Sequence, residues 1–410
     1  MLRVFEAFAG VGSQRMALRN IGIDFEVVGI SDVDRYALLA YDAIHHNGEY
    51  VEEKTEEEML EEFRKRNIAY NFSTGKSELP KKDEDIKKLY EAHVRSKNFG
   101  DIRTIDVNEL PEIDLFTYSF PCKNISVAGK QDGFEVKSDT QSSLVWECRK
   151  IIEKAKPKYL LMENVKNIVG KNFKGIFDTW LSYLESLGYT NYYQVLNAKD
   201  FGLAQNRERV MMVSILGDHK PYKFTTSLNN TSSTIDSVLE DNIDEKYYLD
   251  KQFYISSLKG FKVNKNNKTI EYLGRELKVP CVCASRGRYI GNPNKRGLGL
   301  PTIQFLELNP YNVSNTLTTV LKDNYVIEFS SNKYSSIIIY SHNSDNNETI
   351  TDFRVRKLTP LEYWRLIGFS DEDYYKAKDI GGLPEVKLYE RAGRGIAIPM
   401  LEEIFKNLFK

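Results

Sequence analysis

The chain has 410 residues, of which 41% are hydrophobic and 28% charged, with a formal net charge of −1; this is the composition of an ordinary folded protein, not of a disordered or fibrous one. No apolar run approaches the roughly 20 residues needed to span a bilayer, and MLRVFEAFAG lacks the long apolar core and cleavage site of a signal peptide. Four cysteines without a CxxC pair argue against a disulfide framework or a zinc site, so a reduced, cytoplasmic protein with no metal and no membrane is expected.

In chain order, LRVFEAF reads as a short buried strand, AGVGSQ as a glycine turn and QRMALRNIG as a helix closed by Gly22. FEVVGISD is a second strand ending in acids, and VDRYALLAYDAIHHN a second helix, which completes a β-α-β unit. Residues 48–97 carry dense charges of both signs and no strand pattern, and are expected to form an exposed, partly helical insertion. Strands resume at DLFTYSF and at KYLLMENV, separated by the helical SSLVWECRKIIEKAK. The helix FKGIFDTWLSYLESLG then leads to the β-rich NYYQVLNA and RVMMVSIL. This alternation predicts an α/β fold with a doubly wound, mostly parallel sheet over residues 1–216. TTSLNNTSSTI is a polar linker. It opens a smaller β-rich inserted domain over 217–353, and residues 251–340 hold 13 Lys+Arg against 5 Asp+Glu, which points to a polyanion partner. Helical patterning returns in LTPLEYWRLIGF and PMLEEIFKNLF, so residues 354–410 are expected to complete the first domain.

Gly10 and Gly12 stand between a strand and a helix, where backbone must approach a ligand closely, although a tight turn alone needs glycine. Asp32, at the end of the second strand, can accept hydrogen bonds from a ribose, and Asp101 in FGDIR reads as a third strand-end acid. NAD and S-adenosylmethionine both present a ribose; Arg15 in place of a third glycine disfavours the dinucleotide. Cys122 in SFPCKNIS lies where a strand opens into the crevice of an α/β sheet. A lone cysteine is ordinarily packing. Here Glu163 and Asn164 in MENV, and Gln205, Arg207 and Arg209 in AQNRERV, fall at neighbouring strand ends. A thiol, an acid and guanidinium groups in one crevice suit nucleophilic attack on an electron-poor ring.

These motifs, in this order, resemble the DNA (cytosine-5)-methyltransferase family of the bacterial restriction-modification type. FAGVGS is similar to its first cofactor motif, SFPCKNIS to its Pro-Cys loop, MENV to its Glu-Asn-Val motif and QNRER to its Gln-x-Arg-x-Arg motif. RKLTPLEYWRLIGF and RAGRGIAIPMLEEI resemble its last two motifs. The likeness spans about 1–216 and 354–410, with the family's variable target-recognition domain between. It implies a Rossmann-like methyltransferase that uses S-adenosyl-L-methionine, releases S-adenosyl-L-homocysteine, and acts on double-stranded DNA as a monomer, with a cognate restriction endonuclease as a partner in the same system. The implied cofactor-binding residues are Phe8, Ala9, Gly10, Gly12, Asp32, Val33, Asp101, Ile102, Pro121, Leu144, Arg394 and Gly395.

The same resemblance implies a cytosine flipped out of the duplex, attacked at C6 by Cys122, with Glu163 sharing a proton with N3. Arg207, with Arg209 beside it, would hold the base carbonyl and a neighbouring phosphate, and Asn164 would position the exocyclic amine or buttress the loop. SVAGKQDGF, with Gly129 and Gly133, would close over the base. Expected DNA contacts are Lys123, Ser126, Gln205, Arg286, Arg288, Lys295 and Arg296, with Thr316 and Leu317 from SNTLTT. Two departures stand out. Lys123 follows the cysteine where the family has Gln, and Arg394 and Gly395 replace an Asn-Ser pair whose Ser helps bind the cofactor's methionine end. The Gly395 N–H or the Arg394 side chain is expected to substitute. A tRNA cytosine-5 methyltransferase and a sequence-specific DNA-binding protein of weak activity are the alternative readings.

Overall fold

The computed structural model describes the chain except residues 47, 72–73, 123–124, 126–140, 229–232, 290–300, 319–320, 331–335, 341–347 and 351–352. Strand β1 (Leu2–Ala7) leads through α1 (Ser13–Asn20) to β2 (Phe25–Ser31) and α2 (Arg35–His45). After an insertion holding α3 (Glu56–Lys65) and α4 (Asp83–Arg95) come β3 (Leu115–Tyr118), α5 (Cys148–Ala155) and β4 (Tyr159–Val165). Helix α6 (Lys174–Ser186), β5 (Tyr189–Asn197) and β6 (Glu208–Leu216) complete a six-stranded sheet of order β2-β1-β3-β4-β6-β5. Its first four strands are parallel, and β6 runs antiparallel to both neighbours. The expected doubly wound sheet is therefore present, with one reversed strand.

Alternation along the strands sends side chains to two layers. Val4, Leu115, Leu161 and Met211 pack with α1, α2 and the C-terminal helices, whereas Phe5, Phe116, Leu160 and Met212 pack with α5 and α6. The insertion is less exposed than its composition suggests. Met59 and Phe63 on α3, and Ile86 and Leu89 on α4, are buried in the first layer. Asn98 makes only a single bridge to Ile30, so Asp101 sits in a turn and not at the end of a regular strand. The helix expected from residue 142 is a 3-10 turn over Gln141–Glu147 that becomes α-helical at Cys148.

A second sheet has its own apolar core. It is built from β7 (Gln252–Ser256), β8 (Cys281–Tyr289), β9 (Thr302–Leu308), β10 (Tyr325–Phe329), β11 (Ser336–Tyr340), β12 (Glu348–Ile350) and β13 (Phe353–Lys357), in the order β12-β11-β7-β9-β8-β10-β13. Strand β13 extends this sheet to Lys357, beyond the boundary expected at residue 353. The chain then returns to the first core through α7 (Pro360–Arg365), α8 (Asp371–Tyr375), α9 (Glu385–Arg394) and α10 (Ile398–Phe409); α8 and α9 were not among the expected helices. At this junction Thr359 and Glu362 form a capping box. The fully buried Arg356 pairs with Glu362 at 2.8 Å and with Glu328 at 2.6 Å.

Candidate active site

At the end of β1 the backbone turns through the left-handed region at Phe8 (φ 58°), Gly10 (59°) and Gly12 (76°). The bulky Phe8 is strained there, whereas glycine is not. The two glycines are needed for different reasons. A Cβ on Gly12 would lie 2.3 Å from His45 Nε2, so packing forbids it, but a Cβ on Gly10 would project into open space. That space is bounded by Asp32, whose Oδ2 accepts the Gly10 N–H at 2.8 Å and whose Oδ1 accepts the Asp34 N–H. Burial, and secondarily the charge of Asp34, raise the Asp32 pKa. An open cradle beside a glycine, with a half-buried acid at its rim, fits a nucleoside-bearing cofactor.

Other expected cofactor residues have defined places. Ala9 is buried and its carbonyl accepts the Gly12 N–H, and the Val33 carbonyl accepts the Ala69 N–H from the insertion. Asp101 is held by Arg103 at 2.8 Å and by Asn67 at 2.9 Å. Ile102 is buried and Leu144 packs on the same α5–α6 layer, while the Pro121 carbonyl accepts the Ser142 hydroxyl. The two residues expected to substitute for the missing Ser have these places. The Gly395 N–H donates to the Arg391 and Ala392 carbonyls at the end of α9, and Arg394 pairs with Asp34 at 3.3 Å. A Cβ at position 395 would come within 2.8 Å of Ile367 Cδ1, so the glycine matches its packing. Glu6 went unrecognised in the sequence because an acid inside an apolar strand carries no motif. It is fully buried, accepts from the Arg15 N–H and the Tyr41 hydroxyl, and anchors the first turn of α1.

Cys122 lies four residues beyond β3 and is half-buried. Burial pushes its thiol pKa up, Arg209 pulls it down and Glu163 raises it, so the three groups share one field. Glu163 and Arg209 are diagonal neighbours on β4 and β6, because Glu163 pairs with Met211 and Val165 with Arg209. Arg209 Nε reaches Glu163 Oε1 at 2.9 Å. Asn164 acts on the loop: its Nδ2 donates to the Phe120 carbonyl at 3.1 Å. Asn167, not anticipated, donates to the Ile125 carbonyl at 2.6 Å from the same side. Lys123, Ser126 and the rest of the expected closing loop lie outside the described residues.

Arg207, expected to hold the base carbonyl, is held by backbone carbonyls in this structure. Its side chain is buried and donates to the backbone carbonyls of Leu317 (3.5 Å), Gly393 (3.3 Å) and Gly395 (2.8 Å). Gln205 and Leu317, expected as DNA contacts, are buried in this structure. Gln205 is fully buried, donates to the Leu366 carbonyl and accepts the Leu317 N–H, and the Leu317 side chain belongs to the first core. Thr316 is half-buried and its hydroxyl donates to the Asn206 carbonyl. Arg286 and Arg288 point from one face of β8 and are paired with Asp323 and Glu307. Lys295 and Arg296 lie outside the described residues. Among the described residues no cluster could hold a metal, and no helix is long and apolar enough to cross a membrane.

Comparison with known proteins adds an independent line. The family model for C-5 cytosine-specific DNA methylase matches residues 78–410. The Type II methyltransferase M2.ScrFI of Lactococcus lactis subsp. cremoris is 40% identical over 417 residues, which cover 100% of this chain and 99% of that protein. The orphan methyltransferase M.SssI of Spiroplasma monobiae is 39% identical over 270 residues, 60% of this chain and 70% of that protein. Among solved structures, the Dnmt2 methyltransferase of S. pombe superposes with a TM-score of 0.54 at 15% identity, covering 100% of this chain and 98% of that one, a likeness of fold.

Proposed function

The chain belongs to the C-5 cytosine-specific DNA methylase family, and on that premise we propose that it methylates C5 of a flipped-out cytosine within a short site in duplex DNA. The observation that carries this reading is the grouping of Cys122 with the Glu163–Arg209 pair in the crevice of the six-stranded sheet.

Cys122 Sγ adds to C6 of the ring after losing its proton. Glu163 faces N3 and shares a proton with it, drawing electron density from the ring as the C–S bond forms. Arg209 holds the Glu163 carboxylate in that orientation. Addition at C6 makes C5 nucleophilic; once C5 has accepted the methyl group and S-adenosyl-L-homocysteine has been released, the C5 proton passes to solvent and the Cys122 thiolate is expelled, which restores the aromatic ring. S-adenosyl-L-methionine, when bound, supplies an electrophilic methyl group. Gly10 and Asp32 would hold it, with Phe8, Val33, Asp101 and Ile102 around them, and no metal takes part. Asn164 and Asn167 fix the loop that carries the thiol, which keeps the nucleophile in register with the strand ends.

A restriction-modification setting, with a cognate endonuclease and a cytoplasmic monomeric enzyme, belongs to the same proposal. Transfer of a labelled methyl group to duplex DNA, to tRNA or to neither separates it from both alternative readings. Cys122→Ser is expected to lower transfer at least about ten-thousandfold and to abolish the permanent adduct with a 5-fluorocytosine duplex. An adduct in the serine variant equal to that of the parent would overturn the mechanism. Methylation-sensitive sequencing of DNA from expressing cells would then identify the site.

A further inference from the structure

Arg207 is a buried cation whose hydrogen bonds run to backbone carbonyls from two distant parts of the chain. Leu317 belongs to the segment that leaves the second sheet, and Gly393 and Gly395 close α9. A charge taken out of water is normally compensated by a carboxylate. Here Glu163 is bonded to Arg209 instead. Burial, with Arg209 as the lesser cause, lowers the Arg207 pKa to about 9, which leaves it charged at neutral pH. Its Nε is buried without a hydrogen-bond partner.

Both anchor points extend further. On one side, Ser314–Asn315 pairs with Gln205–Asn206 in a two-residue parallel ladder, and the Leu317 N–H donates to Gln205 Oε1 at 3.3 Å. On the other, the Ile396 N–H, next to Gly395, donates to Ser13 Oγ at 3.2 Å in the turn that follows Gly12. Gly393 also abuts the Thr318 backbone, where an added Cβ would sit 3.5 Å from the Thr318 carbonyl carbon. The contacts therefore run unbroken from the 314–318 segment, through Arg207, to the glycine turn.

We propose that Arg207 is a positioning residue that couples the 314–318 segment of the recognition region to the cofactor turn, and not a group that touches the base. The inference rests on the cofactor reading above and deepens it. A ligand seated at the turn then stiffens the recognition segment through packed contacts and not through a moving domain.

Hydrogen exchange on the full-length protein tests this with S-adenosyl-L-homocysteine as the probe and needs no DNA site. In the parent, saturating probe is expected to slow exchange at residues 8–13 and, by about tenfold, at the hydrogen-bonded amides of Ser314 and Leu317. Arg207→Lys keeps the charge but loses the planar fork; it should retain protection at 8–13 and lose it at 314–317. Protection confined to 8–13 in the parent would overturn the coupling while leaving the cofactor reading intact. Equal protection of 314–317 in the lysine variant would overturn the role of Arg207. Protection nowhere would remove the cofactor reading and this inference with it. If the lysine variant fails to fold, the parent measurement still decides the coupling, and Arg207→Gln decides the residue's part in it by the same two outcomes.

Discussion

Arginines serve the two sheets differently. Arg207, in the crevice of the six-stranded sheet, is buried and bonded to backbone carbonyls. Arg286 and Arg288, on the seven-stranded sheet, lean against Asp323 and Glu307 with side-chain exposures of 37% and 14%. A guanidinium sealed from water cannot exchange its partners for solvent, so it holds several backbone segments in one arrangement. One that reaches solvent, or whose carboxylate partner does, can give up that carboxylate for a phosphate at lower cost. The comparison implies that burial, more than residue type, decides whether a substitution unfolds the protein, alters the chemistry or only weakens DNA binding.

The largest effect should come at the junction of the two sheets, where Arg356 and Glu362 both have no exposed surface. Arg356→Met leaves Glu362 buried and uncompensated, with an expected loss of about 3–5 kcal/mol. Urea unfolding would measure it. The double substitution Arg356→Met with Glu362→Gln should recover a large part, because the one carboxylate then left without its arginine, Glu328, still reaches solvent. A loss below about 1 kcal/mol for the single substitution would mean that this pair behaves like a surface pair, and the contrast between the regions would fail.

The crevice is expected to show an intermediate effect, of opposite sign for two partners. Burial already holds the Cys122 thiol above its ordinary pKa; Arg209 opposes that shift and Glu163 adds to it. Arg209→Gln removes a cation, which raises the thiol pKa further and slows alkylation by iodoacetamide at pH 8. Glu163→Gln removes an anion, lowers the pKa and speeds alkylation. Each change should be about three- to tenfold, since one unit of pKa is tenfold in thiolate. Rates that move in the same direction would show that access to the sulfur, and not charge, governs the reaction.

Residues whose chemistry is scarce stand out in the sequence. Cys122, Glu163 and Asp32 are reactive or acidic groups at strand ends, and period-2 alternation of the apolar residues defines those ends. What a local pattern does not carry is which way a side chain faces after folding. Gln205 and Leu317 stand in motifs that mark them as important, yet both point into the core. The helices α3 and α4 looked exposed because Met59, Phe63, Ile86 and Leu89 are diluted among charges, although their i, i+4 and i, i+3 spacings form apolar stripes. Strand β13 crossed the expected boundary because FRVRK places two arginines in a strand, and the buried acid that partners Arg356 lies six residues away, beyond the turn into α7.

The smallest structural effect belongs to the surface of the second sheet. Arg288→Ala removes a cross-strand pair with Glu307 on the adjacent β9, where the carboxylate is 38% exposed and can be hydrated. The expected change in unfolding free energy is about 0–1 kcal/mol, several times less than at Arg356. DNA binding should respond more. If Arg288 exchanges Glu307 for a phosphate on binding, the variant weakens association on all sequences alike, and the slope of log K against log salt falls by about one. Loss of discrimination at a single position, with the salt slope unchanged, would instead assign Arg288 to a base edge. A drop of about 3 kcal/mol or more in stability would place the pair with the buried ones, against the division drawn between the two sheets.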